Sequence, residues 1–441
     1  MSRLPRQLLT ILAGTAVLGG TAAAQLIPSI QVPGVPVVGG VLRDIGARPN
    51  EGRQQQGGVP IVRSLDTLGV PDSIASVSAD TLLDLRKLRL RQLVRDHRRV
   101  LDMDSEGNPV RRGELLAIAP DAVSLASAQA AGFGVLREET NADLGMRVVV
   151  LATPNRMKMR DALARLRAAA PRIEADYNHI FEPAGGTLIA SGAALAMSST
   201  VSSSGKRIAI IDGGVASHPS FAGASIEQRA FAGGAKATGH GTAVASLLVG
   251  QQGRFLGAAR GASLFVADVY GGDQTAGSAT AIVRALAWTA SKRPDVINIS
   301  LVGPSNRLLQ RAVAILASRG VPMVAAVGND GPAAPAQYPA SYAGVLAATA
   351  VDARDRALPE AGRAVKLDFA APGADMAAAL PGRGYARVRG TSFAAPLVAA
   401  RLAANGSVAG LAAEAVQGKG RVGRGIVCKT CRIDPKAVGA K

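Results

Sequence analysis

The sequence predicts an α/β protein whose main unit is a doubly wound, mostly parallel sheet. Near-continuous apolar strands that alternate with helices are typical of a parallel sheet covered on both faces. The predicted strands are 207–211, 264–269, 296–299, 322–327 and 345–349, and the predicted helices are 241–249, 280–291, 306–319 and 392–404. With 441 residues, of which 48% are hydrophobic, the chain can bury a large core and hold more than one unit.

A small α+β unit is predicted before the main sheet. Its strand and helix patterns follow the order βαββαβ, which is typical of ferredoxin-like units. The predicted strands are 114–118, 133–137, 147–151 and 172–181, and the predicted helices are 121–131 and 156–169. Thr153-Pro154 predicts the start of the second helix. Upstream, leucines at helical spacing over 79–99 predict a basic amphipathic helix.

The amino terminus has the features of a secretory signal peptide. Basic residues, an apolar run from 8 to about 18 and small residues before Ala24 predict cleavage there and a secreted or periplasmic protein. A membrane anchor is the alternative, although the run is shorter than the ~20 residues that span a bilayer. No later segment is a better candidate, so no integral membrane segment is expected after signal removal.

Composition divides the chain into six segments. The predicted segments are a signal peptide (1–24), a Pro/Gly-rich linker (25–71), the basic helix with the small α+β unit (72–185), a second linker (186–204), the main unit (205–418) and a basic tail (419–441). The tail contains the two cysteines, Cys428 and Cys431, and their spacing favours a local disulfide in an exported protein. A redox pair or a zinc site is the alternative, but further zinc ligands are missing from the tail.

The net charge of +18 is uneven along the chain. Residues 201–441 hold 27 basic and 13 acidic side chains, a balance of +14. Such a field favours anionic surfaces or acidic peptides. Basic motifs with interleaved aromatic residues are absent, so we expect a solvated basic surface and no nucleic-acid partner.

Four segments of the main unit carry residues suited to acyl transfer. Asp212 ends an apolar strand, His240 lies between two glycines at a helix start, Asn329 follows a strand, and Ser392 begins an Ala-rich helix. Each has an ordinary explanation by itself, as a cap, a turn or a core residue. Together they are more specific. A serine nucleophile needs an imidazole base, the imidazole needs a carboxylate, and the oxyanion needs donors.

The order and surroundings of these residues resemble the subtilisin-like serine peptidases. The matching motifs are Asp212-Gly213-Gly214-Val215, His240-Gly241-Thr242-x-Val244-Ala245, Gly328-Asn329 and Gly390-Thr391-Ser392-x-Ala394-x-Pro396, over about residues 204–415. Successive separations are 28 residues from Asp212 to His240, 89 from His240 to Asn329 and 63 from Asn329 to Ser392. The resemblance implies a serine endopeptidase with a triad of Asp212, His240 and Ser392, in which Asn329 and the Ser392 N–H stabilise the oxyanion.

The resemblance also implies how substrate and precursor bind. The segment 298–301 resembles the strand that pairs with extended substrates, which makes Ser300, Leu301 and Gly328 candidate substrate-binding residues. The small α+β unit resembles the family's propeptides, so we expect an autoprocessed precursor, cut between 182 and 204, whose propeptide inhibits it. The resemblance implies that peptide-bond hydrolysis by this chain needs no cofactor. Structural calcium is used by the family, but no acidic loop here has the spacing of a known site. A monomer acting on peptides or proteins is expected.

Several residues depart from the family pattern. Gly213 replaces a Ser or Thr, and Ala243 replaces a frequent histidine. Val302 and Val327 stand where smaller residues are common, which predicts a pocket for small or medium apolar side chains. The alternatives to an enzyme are a scaffold that keeps only the fold, and a basic adaptor for polyanions that uses the tail. The presence of all four site residues favours the enzyme.

Overall fold

The amino-terminal unit is a helix followed by a small antiparallel sheet. The computed structural model describes residues 77–155, 157–185, 187–189, 203–382 and 384–440. The elements of this unit are α1 (Ala79–Asp96), β1 (Leu101–Met103), β2 (Pro109–Ile118), α2 (Ala122–Ala130), β3 (Gly134–Asn141), β4 (Met146–Ala152), α3 (Met159–Ala169) and β5 (Ala175–His179). The strands are paired in the order β1-β2-β4-β3, and β5 also pairs antiparallel with β2, on the edge opposite to β1 and β4. Apolar side chains of α2 and α3 pack with those of β2 and β4 in one cluster.

Two sequence predictions for this unit have different outcomes. The basic amphipathic helix predicted over 79–99 is confirmed as α1. The predicted start of the second helix at Thr153-Pro154 is wrong, because α3 begins at Met159. The N–H of Thr153 still donates to the carbonyl of Gly113 in β2, and Pro154 accepts from Met157 in a turn. The chain therefore leaves the sheet later than the capping pattern indicated.

A seven-stranded parallel sheet forms the main unit, and the predicted α/β fold class is confirmed. Its order is β17-β16-β15-β13-β8-β12-β9, and every neighbouring pair is parallel. The elements after β5 are β6 (Glu182–Pro183), β7 (Thr187–Ile189), β8 (Arg207–Asp212), β9 (Ser225–Ala230), α4 (Gly239–Val249), β10 (Gln251–Gln252), β11 (Phe255–Leu256), β12 (Ser263–Asp268), α5 (Ala279–Ser291), β13 (Val296–Ile299), β14 (Leu301–Val302), α6 (Arg307–Ser318), β15 (Met323–Ala326), β16 (Val345–Val351), β17 (Phe369–Pro372), β18 (Met376–Ala379), β19 (Tyr385–Arg389), α7 (Thr391–Asn405) and α8 (Val408–Glu414).

The two faces of this sheet pack against different helices. Ile208 and Ile210 of β8 belong to a core with α4 and α7, whereas Ala209 and Ile211 belong to a core with α5 and α6. Alternate residues of a strand point to opposite faces, so each strand supplies both cores. This double coverage explains why the strands are continuously apolar. It also places α4 and α7, the helices that begin near His240 and Ser392, on the same face.

The amino-terminal unit docks on the main unit at the first turns of two helices. Asp176 Oδ2 accepts from the N–H of Arg307 at 2.7 Å, at the start of α6. Asn178 Oδ1 accepts from the N–H of Thr280 at 3.3 Å, at the start of α5. Helix N-termini carry unpaired N–H groups and a partial positive charge, so polar side chains there are stabilising. These contacts fix β5, and with it the residues that follow, against the main unit.

The carboxyl-terminal tail packs against the main unit. Ile426 bridges to Ala370 and to Val416, and Cys428 and Cys431 form a buried disulfide, as the sequence predicts for a local pair. The Arg432 guanidinium donates to the carbonyl of Asp352 at 2.7 Å and to that of Ala374. Several of the tail's basic side chains therefore serve packing.

Two kinds of feature are absent from the described residues. None of their helices has the length and hydropathy needed to cross a membrane. Within the same part of the chain, no three His, Cys, Asp or Glu side chains are grouped as metal ligands.

Replacing Arg432 is expected to loosen the tail. Arg432→Met keeps an aliphatic stem but leaves buried carbonyls without their donor, which should lower the free energy of unfolding by about 1–3 kcal/mol. Urea denaturation followed by circular dichroism measures the change, in a Ser392→Ala background that lacks the candidate nucleophile. Lys429→Met is the matched control, because the Lys429 side chain is exposed and pairs with Asp355. Equal stability of the two variants would contradict this account of the tail.

Candidate functional site

The candidate site lies at the carboxyl edge of the parallel sheet. Asp212 is the last residue of β8, Ser300 follows β13, and Gly328 and Asn329 follow β15. These three strands are neighbours in the sheet. Because parallel strands end at the same edge, side chains that follow them converge there. His240 and Ser392 reach the same place from the first turns of α4 and α7.

Asp212, His240 and Ser392 form a continuous hydrogen-bonded chain. His240 Nδ1 lies 2.9 and 3.0 Å from the two carboxylate oxygens of Asp212. His240 Nε2 lies 2.9 Å from Ser392 Oγ. A carboxylate beside Nδ1 fixes that nitrogen as the protonated one, which leaves Nε2 free to accept the hydroxyl proton. The geometry is therefore that of a serine nucleophile with its base and its orienting acid.

The surroundings hold the chain of three side chains in one orientation. Asp212 is buried, and its Oδ1 also accepts from the N–H of Gly213 at 2.6 Å. Thr238 caps α4 by accepting from the N–H of Gly241 at 3.0 Å. A Cβ at Gly213 would lie 2.4 Å from Thr238 Oγ1, which explains the glycine at this position. The Thr238 cap therefore leaves no room at position 213 for the Ser or Thr side chain that the resemblance implies there.

Asn329 is oriented toward the carbonyl groups of a chain segment that crosses the site. Its Oδ1 accepts from the N–H of Thr391 at 2.9 Å, next to Ser392. Its Nδ2 contacts the carbonyl oxygens of both Ala184 and Gly185. This amide can therefore donate to an oxyanion formed from a carbonyl that Ser392 attacks.

Strand pairing holds the crossing segment before Ala184 and, beyond a turn at Gly185, after it. Before it, β6 pairs antiparallel with β14, Pro183 opposite Leu301 and Glu182 opposite Val302. The N–H of Ala184 donates to the carbonyl of Ser300 at 2.9 Å. After it, β7 pairs antiparallel with β19. An extended peptide that adds to strand edges is how peptidases bind substrates without regard to most side chains.

The space beside Gly328 is occupied by two side chains. A Cβ at Gly328 would lie 3.3 Å from Val302 Cγ1 and 3.5 Å from Gln337 Cγ, so these two side chains fill the space beside it. Gln337 is 2% exposed, and its amide donates to the carbonyl of Pro335. Val327 lies fully within the hydrophobic core. Of Val302 and Val327, which the sequence predicts to narrow a pocket, Val302 is the one beside Gly328.

The seven candidate residues of the sequence analysis therefore lie together, and the sequence missed others. Gln337 had no pattern of its own. Asp330 directly follows Asn329, and its position was the only available signal. It pairs with Arg86 and Arg89 of α1, and Arg89 also pairs with Glu182. The carboxylates of Glu182 and Asp330 hold the pKa of Arg89 above its usual value.

Tyr270 is a further buried group beside the site. Burial, with the nearby Asp212 carboxylate adding to it, raises the pKa of its hydroxyl well above the usual value. That hydroxyl has no hydrogen-bond partner among the described residues. Its ring packs where Phe181, just before β6, donates its N–H to the carbonyl of Gly277. The Tyr270 hydroxyl therefore stays uncharged beside Asp212.

Part of the chain matches a known protein family. The model of the subtilase family matches residues 203–415. Subtilisin BL and subtilisin Savinase, both of Lederbergia lenta, are each 36% identical over 206 residues, which cover 44% of this chain and 74% of the relative. An alkaline protease of Alkalihalobacillus alcalophilus has the same identity over 206 residues, but 52% of its length is covered.

A similar fold occurs in a solved structure. Fervidolysin from Fervidobacterium pennivorans, a keratinolytic enzyme related to subtilisin, is 20% identical with a TM-score of 0.61. The match covers 75% of this chain and 61% of that chain, and at this identity it speaks for the fold alone. The higher sequence identity to the two subtilisins shows the family as well as the fold. The chain therefore belongs to the subtilase family and is a subtilisin-like serine endopeptidase.

Proposed function

We propose that the chain is a secreted precursor that hydrolyses peptide bonds through an acyl-enzyme and first cuts itself between Ala184 and Gly185. The observation that carries this proposal is the segment 182–185, which pairs with β14 and contacts Asn329, whose own amide oxygen accepts from the residue before Ser392. Ala184 is the last residue whose N–H joins the pairing to segment 300–302. Its carbonyl is therefore the one that Ser392 attacks.

In this mechanism each residue of the site has one task. His240 takes the proton of Ser392 Oγ as the hydroxyl attacks, and Asp212 stabilises the imidazolium that results. Asn329 Nδ2 and the N–H of Ser392, at a helix start, donate to the oxyanion. The imidazolium then protonates the leaving amine. A water molecule, deprotonated by His240, hydrolyses the ester.

The amino-terminal unit acts as an intramolecular inhibitor in this proposal. Its contacts at the starts of α5 and α6 hold β6 in the cleft, so peptides cannot pair with β14 until the unit leaves. Secretion follows from the amino-terminal signal pattern, which lies outside the described residues. The proposed substrates are peptides or proteins that bind as extended strands.

The proposed pocket selects small side chains at the residue before the cleaved bond. Ala184 is buried and belongs to the same apolar cluster as Val302. Val302 and Gln337 leave little space beside Gly328 for a larger side chain. Overpacking a filled site costs about 1–3 kcal/mol, which is enough to disfavour aromatic residues.

A serine-directed fluorophosphonate probe tests the enzyme. The wild-type chain, once processed, should be labelled, and Ser392→Ala should lose labelling and at least about 10³-fold in kcat on peptides, since its nucleophile is gone. Ser318→Ala is the matched control, because Ser318 Oγ bonds only to the carbonyl of Ile315 at an exposed helix end. Labelling that persists in Ser392→Ala would refute the assignment.

The processing site is tested by mass spectrometry of the secreted protein. We expect a new amino terminus at Gly185 in the wild type and intact precursor in Ser392→Ala. A first residue other than Gly185 would contradict the assignment of Ala184. Precursor of equal size in both proteins would contradict self-processing.

The pocket is tested by replacing Gln337. Peptides that differ only in Ala or Phe before the cleaved bond should give the wild-type enzyme a preference for Ala. Gln337→Ala should raise the Phe to Ala ratio of kcat/KM by about tenfold, since it removes atoms that fill the pocket. Gln310→Ala, on the exposed side of α6, serves as control. A wild-type preference for large aromatic or basic residues would rule out a narrow pocket.

A further inference from the structure

The carboxylate of Asp330 is paired only with side chains of the amino-terminal unit, among the residues that the structure describes. Arg86 Nε lies 3.2 Å from its Oδ2, and Arg89 Nη1 lies 3.0 Å from its Oδ1. Arg389, three residues before Ser392, is engaged with Glu360 at 2.6 Å. When the amino-terminal unit leaves, both described partners of Asp330 leave with it. A cation site then opens directly beside Asn329.

Helix α1 packs closely against Asp330 and Gly331. The side chains of Arg86 and Asp330 are 10% and 8% exposed. Gly331 has φ +82°, and a Cβ there would lie 2.8 Å from Leu82 Cδ1 of α1, so the Leu82 side chain packs directly against this glycine. Buried charges are tolerated when they are paired. Here the guanidinium groups of Arg86 and Arg89 both pair with the carboxylate of Asp330. Asp330 is thus built into a surface that receives guanidinium groups.

Substrate side chains can reach the same carboxylate. Glu182 and Ala184 lie on one face of the crossing strand, because side chains alternate along a strand. Arg89 Nη2 lies 3.2 Å from Glu182 Oε2 and 3.4 Å from Asp330 Oδ2, so one nitrogen spans the gap between the two carboxylates. An arginine in place of Glu182 is longer than glutamate and would bring its own guanidinium to the position that Arg89 fills in the precursor.

We propose that Asp330 is a binding site for a basic side chain of the substrate, at the third residue before the cleaved bond. The proposal rests on the proposed function, since it concerns the cleft after the amino-terminal unit has left. It gives the mature enzyme a substrate class: extended peptides with arginine or lysine at that position and a small residue before the bond. The precursor carries Glu182 there and neutralises the mismatch with Arg89.

The contact should act on substrate binding. A guanidinium and a carboxylate at hydrogen-bond distance attract each other, whereas two carboxylates at the same place repel. In the cleft, which is partly open to solvent, the expected gain for Arg over an uncharged residue is about two- to fivefold in kcat/KM. The gain should appear mainly in KM, because the third residue takes no part in the bond-making step.

Three matched peptides test the proposal. They have the sequence Phe-Xaa-Pro-Ala followed by a chromogenic amine, with Arg, Gln or Glu at Xaa, after residues 181–184 of this chain. The enzyme is obtained by self-processing of the full chain, and mass spectrometry checks that the amino-terminal segment is absent. We expect kcat/KM to fall in the order Arg, Gln, Glu, and the Arg to Glu ratio to shrink at high salt.

The matched variants are Asp330→Asn and Asp355→Asn, the second at a surface carboxylate that pairs with Lys429. The Arg to Glu ratio should approach one in Asp330→Asn and stay unchanged in Asp355→Asn. A ratio within one enzyme is independent of any change in overall activity. Equal cleavage of the three peptides, or a preference that survives Asp330→Asn, overturns this proposal alone. Absence of both cleavage and fluorophosphonate labelling overturns the proposed function.

Discussion

The antiparallel pairing of β6 with β14 is the constraint on which the site depends. It sets which carbonyl groups contact Asn329 and, in the proposed precursor, which bond is cut and which side chains face Asp330. A slip of one residue would turn every side chain of the segment to the opposite face. Register is weakly specified by two residues alone. The docking of the amino-terminal unit on α5 and α6, immediately before β6, supplies the rest of the constraint.

The parallel sheet makes this possible by bringing distant parts of the chain to one edge. Asp212, Ser300 and Asn329 follow neighbouring strands, and the helices that begin at His240 and Ser392 share one hydrophobic core. Side chains held at strand ends and first helical turns have little freedom, which keeps the nucleophile aligned with its base. The Thr238 cap and the close approach at Gly213 tighten the same place.

Much of the fold and the candidate triad could be predicted because their signals are local. Apolar strands between helices identify the sheet, and glycine-flanked Asp, His and Ser motifs stand out without a structure. Gln337 and Asp330 could not be found in this way, because their roles arise from side chains 35 and 148 residues away along the chain, Val302 and Glu182. The start of α3 was misplaced since a Thr-Pro cap pattern does not reveal that Thr153 still bonds to β2.

The positive net charge of the chain opposes a preference for basic substrates, and distance resolves the conflict. The positive balance of residues 201–441 acts at long range, where salt screens it beyond about 8 Å at physiological ionic strength. It slows the arrival of cationic peptides only modestly. The pairing of a guanidinium with Asp330 acts at about 3 Å, as Arg89 does in the precursor, where screening is weakest. Long-range charge therefore affects the rate of association, while Asp330 affects which peptide remains bound long enough to be cut.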